Sequence, residues 1–219
     1  MMASIKSFVA GLSCAIAAVV LTATAAQALI IPSSVTGTVR DTGGNGDANQ
    51  VFLTEFQVNH PSNTDDRGIV EFDISGQTMP VGQATLNLTR VGTSGVGLLV
   101  QLLGYGPTGA NGAVELTDFD LGTAITSFVV PSDTAISIPV TNFINTQIGL
   151  SSAFVGFNLR SAVTSPPLQV NFVVSAGQTT PLPTLDLGDA PVVMTEPGTI
   201  AILGVGLLGL GCVTRRRTR

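Results

Sequence analysis

The sequence has no tryptophan, and a single tyrosine (Tyr105), histidine (His60) and lysine (Lys6), with two cysteines in 219 residues. One histidine and two cysteines cannot build zinc-finger, iron–sulfur or multi-histidine metal centres. The scarcity of Trp and Tyr removes the usual means of stacking sugar rings. Charge is sparse as well: 11% of residues are charged against 44% apolar, too hydrophobic a balance for a disordered chain. From Leu29 to Thr195, four arginines face thirteen acidic residues, a net charge of −9. A stretch of that sign, without one lysine, offers phosphate backbones nothing, and nucleic acid is excluded as a partner.

What the chain does have is two distinctive ends. Residues 1–28 have the pattern of a secretory signal peptide. Lys6 and the free amine precede an apolar run from Phe8 to Leu21, and Ala26-Gln27-Ala28 supplies the A-x-A pattern that signal peptidase accepts. The run is shorter than the roughly 20 residues a membrane-spanning helix needs. Cleavage is therefore expected between Ala28 and Leu29. A lipoprotein site at Leu12-Ser13-Cys14 fits less well, because the apolar run continues well past Cys14. Loss of the peptide removes Cys14, and the exported body has no cysteine and no disulfide to hold it.

The other end runs Met194-Thr195-Glu196-Pro197-Gly198-Thr199, then an apolar stretch from Ile200 to Val213, then Thr214 and Arg-Arg-Arg-Thr-Arg. Gly204-Val205-Gly206-Leu207-Leu208-Gly209 matches the dinucleotide fingerprint in letters only. That motif needs a helix, a second strand and an acidic residue about 20 positions on, and here arginines follow. A membrane helix fits better. The 18 residues from Pro197 to Thr214 span about 27 Å at roughly 1.5 Å each, close to a hydrocarbon core of about 30 Å. Arg215, Arg216 and Arg217 then stay cytoplasmic under the positive-inside rule, which places the body on the far side, as the signal peptide does.

Glu196-Pro197, Thr199 two positions after the proline, the Gly- and Leu-rich span and the closing arginines resemble the PEP-CTERM sorting signal. Thr195 stands where that motif has its first proline. The resemblance covers 196–219 and implies recognition by an exosortase-type transpeptidase in the membrane, in a Gram-negative host that makes an extracellular polysaccharide. It also implies a protein held transiently at the inner membrane and then delivered to the cell surface or matrix. A simple C-terminal tail anchor is the alternative.

Between the ends, apolar residues alternate with polar ones at a period of two. The runs are Phe52, Phe56 and Val58; Val70, Phe72 and Ile74; Ala84, Leu86 and Leu88; Ile136, Ile138 and Val140; Val155, Phe157 and Leu159; and Leu168, Val170 and Phe172. Turn-rich stretches at 41–49, 60–66, 75–82 and 104–112 separate them. Such one-sided strands predict an all-β fold, an antiparallel two-sheet β-sandwich over 29–187, with a short tether at 188–195. Val140, Phe143 and Ile144 predict one short helix. Arg67 leading into Val70-Glu71-Phe72-Asp73, the later Ala84-Thr85-Leu86-Asn87-Leu88, and Phe154–Arg160 resemble DNRLRE-type jelly-roll domains. That resemblance implies a non-catalytic surface or carbohydrate-associated module.

Little in the body suggests chemistry. His60 lies in a turn-rich stretch, and no G-x-S-x-G elbow is present. Glu71 and Asp73 share one face of a strand and are expected on a solvated outer surface. Asp41, Asn45, Asp47 and Asn49, with Asp118 and Asp120 in a second loop, leave room for calcium, though in no fixed motif; no other cofactor is expected. The sequence thus points to an exported structural or adhesive protein, not an enzyme. The alternative from another class is a carbohydrate-binding module or weak glycoside-processing enzyme. N-terminal sequencing of exported material should begin at Leu29; a start at Met1 would overturn the signal-peptide assignment.

Overall fold

The computed structural model describes residues 28–60, 63–163, 169–174 and 181–189. The expected signal peptide up to residue 27 and everything from residue 190 on lie outside the described residues. Among the described residues, no helix is long and apolar enough to cross a membrane.

The chain is all-β, and every strand pair among the described residues is antiparallel. Its first strands are β1 (Leu29–Pro32), β2 (Val35–Asp41), β3 (Gln50–Phe52), β4 (Gln57–Asn59), β5 (Asp65–Asp73) and β6 (Val81–Val91). After these come β7 (Leu99–Tyr105), a 3-10 helix at Leu116–Asp120, β8 (Thr123–Val129), β9 (Ala135–Pro139) and the helix α1 (Thr141–Gly149). The last strands are β10 (Phe154–Ser161), β11 (Gln169–Phe172) and β12 (Thr184–Asp189).

One group of strands is ordered β1, β12, β6, β9. A second is ordered β3, β2, β5, β10, β7, β8. Their apolar faces meet in one core, where Val70 and Phe72 of β5, Val155, Phe157 and Leu159 of β10, Leu86 and Leu88 of β6, and Leu185 and Leu187 of β12 are all buried. Phe72 and Phe157 pack edge to face with ring centres 6.0 Å apart, a geometry that aromatic quadrupoles favour. The two groups are not separate hydrogen-bonded sheets as the alternation alone would suggest. β6, with eleven residues, outlasts β12 and β9, and its free end at Arg90 and Val91 pairs with β11, which continues through β4 to Asp66 at the start of β5.

The expected helix is present: α1 begins one residue after Val140 and sends Ile144 and Ile148 into the core. Its Asn145 accepts the N–H of Val81 at 2.8 Å and donates to the Val81 carbonyl at 3.0 Å. The amide side chain thereby serves the start of β6 as a neighbouring strand would.

Three sequence readings need correction. Phe52 does not share a strand with Phe56 and Val58, because a turn at Leu53 and Thr54 breaks the run; Phe52 instead lies under the Arg40 guanidinium, 4.4 Å from its ring centre. The last strand runs through Gly188 to Asp189, past the point where the tether was expected to begin. Finally, the outer face of the β2–β5–β10–β7 region is not open to water. The connection from β7 to β8 folds back over it and builds a second small core from Val39, Ile69, Tyr105, Ala110, Val114 and Phe119.

Phe157 touches both Phe72 and, at 5.4 Å between ring centres, Phe143 of α1. Phe157→Ala should lower unfolding free energy by about 3–5 kcal/mol, the usual cost of truncating a buried Phe. Denaturant titration followed by circular dichroism will measure it.

Candidate functional site

Because Val70 and Phe72 point into the main core, the period of two turns Ile69 and Glu71 to the other side of β5. Glu71 is fully buried there, contrary to the solvated position expected for it, while Asp73 on the same face is exposed. The difference is the 106–122 connection, which covers Glu71 and stops short of Asp73. The hydroxyl of Tyr105 donates to Glu71 Oε1 at 2.9 Å. The backbone N–H groups of Asn111 and Gly112 donate to Oε2 at 3.0 and 2.6 Å. Tyr105 reaches this position because its strand neighbour is Gly156: a Cβ there would sit 2.1 Å from the tyrosine Cζ.

The far part of the connection is held by three further side chains. Asp118 is buried and accepts the N–H of Glu115 at 2.7 Å, capping the 3-10 helix. Asn158, buried on β10, donates to the carbonyls of Asp118 and Phe119 at 2.8 and 2.9 Å. Arg67 lies over the Phe119 ring, 3.6 Å from its centre, donates to the Phe119 carbonyl, and pairs with Asp65 at 2.9 Å and Asp120 at 3.2 Å.

The electrostatics follow from burial. Desolvation raises the Glu71 carboxyl above its ordinary range; the Gly112 N–H and the Tyr105 hydroxyl pull it partly back, and the Asp118 charge pushes it up again. Desolvation also pushes Asp118 up to about 6, against the N–H of Glu115. Burial and the neighbouring carboxylates drive the Tyr105 phenol upward, so it stays protonated as the donor. Both Glu71 oxygens are engaged, so the cluster acts as a latch on the covering connection.

Of the calcium candidates, Asp41 spends its carboxylate on the loop that follows it. It accepts the N–H groups of Gly43, Gly44 and Gly46 at 2.8, 3.0 and 2.7 Å. Gly44 and Gly46 have positive φ, which lets the backbone curl onto the carboxylate. Burial pushes Asp41 up, but these N–H groups together outweigh it and hold the carboxyl below its ordinary range. Asn45 donates to Asp47 and Asn49 accepts from Thr42, so the loop is satisfied internally. Asp118 and Asp120 diverge, one into the buried cluster and the other to Arg67. Among the described residues, no group of three or more His, Cys, Asp or Glu side chains is placed to hold a metal.

His60 lines an open cleft of about 420 Å³ with Asp65, Arg67, Gln101, Arg160 and Ser161. Its Nδ1 lies 3.5 Å from Asp65 Oδ1, but the Ser161 hydroxyl donates to the Val163 carbonyl at 2.6 Å. Serine and histidine share a cleft without the hydrogen bond that a nucleophile and its base require. Of the expected processing residues, Ala28 is exposed and Leu29 opens β1. Glu196, Pro197, Thr199, Arg215, Arg216 and Arg217 lie outside the described residues. No protein-family model matches the chain, and no curated protein matches it in sequence.

The buried cluster has a pH signature. A carboxyl raised in the fold from 3.8 to about 6 contributes stability that is complete below its unfolded value and lost as pH rises through its folded one. Asp118→Asn keeps a neutral side chain whose carbonyl can accept the Glu115 N–H. Thermal melts from pH 4 to 8 should show the variant gaining stability relative to wild type as pH rises through about 6 and holding that gain above it. A constant difference across the range would refute the assignment.

Proposed function

We propose that this is an exported, non-enzymatic surface or extracellular-matrix protein with a jelly-roll-like β-sandwich body, sorted by an exosortase-type transpeptidase through its C-terminal signal. One observation carries the reading. Strand β1 starts at Leu29, the residue immediately after the expected signal-peptidase site, and the last strand ends at Asp189, seven residues before Glu196. The described strands thus fall between the two targeting signals read independently from the sequence. Its polar interior supports a structural role: Glu71 and Asp118 are consumed in holding a connection down, and the oxygen-rich Asp41 loop is consumed in holding itself.

A proline at 197 removes a backbone donor and biases Glu196 toward an extended conformation, the form in which a peptide enters a cleavage site. If the tail is a read signal and not only an anchor, a Glu196→Ala, Pro197→Ala double variant should insert normally but stay unprocessed. It would then be found in the membrane fraction of the native host at a higher mass than wild type. Equal mature masses in the same fraction would leave a simple tail anchor.

A further inference from the structure

The strand registers define two ends of the fold. Leu29 pairs with Leu187, and Asp189 pairs with Val81, so the start of β1, the end of β12 and the start of β6 lie together. Asn145 is bonded to Val81, so α1 runs toward the same end and finishes there at Leu150. Met79 precedes Val81, and β5 reaches this end at Asp73, opposite Phe154. Four large apolar side chains are exposed in this region: Leu29 (46%), Ile30 (59%), Met79 (74%) and Leu150 (61%).

The opposite end has a different character. Arg40 pairs with Asp66 at the start of β5, Arg67 follows it, Arg90 lies near the end of β6, and Arg160 pairs with Gln101 near the start of β7. All four arginines between Leu29 and Thr195 therefore sit away from the Leu29 end. Exposed Val91, Val96 and Val129 are also at the arginine end, so apolar exposure alone does not separate the two. Charge and the path of the chain do. The last described strand ends at Asp189, and only ten residues of sequence separate it from the apolar run that starts at Ile200. Fully extended, ten residues reach at most about 36 Å.

We propose that the Leu29–Met79–Leu150 end is a lipid-contacting surface that rests on the bilayer while the chain is anchored; this depends on Ile200–Val213 being membrane-inserted, as the proposed function has it. The short tether holds this end at high effective concentration near the bilayer, where exposed apolar side chains enter the headgroup boundary. Exposed Asp73 stays in the water layer, so a zwitterionic surface suits the contact better than an anionic one.

The absence of tryptophan makes the test direct. Met79→Trp and Val96→Trp place one reporter at each end, both at exposed apolar positions. Each variant, as residues 29–219 without the signal peptide, is reconstituted into phosphatidylcholine vesicles with plain or brominated acyl chains, floated, and its emission compared. The expected result is loss of emission in brominated vesicles for Met79→Trp and none for Val96→Trp, with the loss abolished by adding Ile30→Ser and Leu150→Ser. Floated protein whose two reporters respond alike would overturn the lipid contact while leaving anchoring intact. Protein that fails to float would overturn anchoring, and the contact with it. A concentration-dependent blue shift of the Met79→Trp reporter without vesicles would assign the surface to a second copy of the chain and overturn the lipid contact.

Discussion

A carboxylate in the middle of a central strand has to be either solvated or surrounded by donors, and Glu71 is surrounded. Leaving such a group buried and unpartnered would cost several kcal/mol. The Tyr105 hydroxyl and the N–H groups of Asn111 and Gly112 are therefore conditions of the fold. Two of these donors belong to the 106–122 connection and the third to the strand that leads into it. Satisfying Glu71 thus fixes where the connection lies. Once it lies there, Ile69, Val39 and Phe119 gain a cover and the second small core can form.

The same constraint explains the polar residues on neighbouring strands. Asn158 faces the covered side of β10, where it donates to the carbonyls of Asp118 and Phe119 at the C-terminal end of the short 3-10 helix. Arg67 closes the outer margin, its guanidinium stacked on Phe119 and forked between Asp65 and Asp120. Gly156 is required for a different reason: the tyrosine ring occupies the space a side chain would need. Glycine here is chosen for close approach and not for backbone freedom.

The main core was legible in the sequence because one-sided strands advertise it. Val70, Phe72, Leu86, Leu88, Val155, Phe157, Val170 and Phe172 are all buried where alternation puts them. Strand β7 was not recognised for the opposite reason. Val100 and Leu102 face the main core while Leu103 and Tyr105 are buried on the other side, so the alternation is erased and Tyr105 is mistaken for a turn residue. Glu71 was assigned to the correct face but the wrong environment. Parity tells which way a side chain points, not whether a segment 40 residues later will fold over it. A hint was present in Gly104, Gly106 and Gly112 around Tyr105, since glycines cluster where backbone must approach closely.

Strand β1 has a further consequence, for the order of events in folding. Its only ladder partner among the described residues is β12, and paired Leu29 and Leu187 are 158 positions apart in the chain. Made from its N-terminus, the chain holds β1 without this partner until nearly all of the body has been synthesised. Closing so long a loop carries an entropic cost that local contacts do not. The first strand made is therefore among the last to dock, and until β12 arrives β1 is open to pairing with another chain.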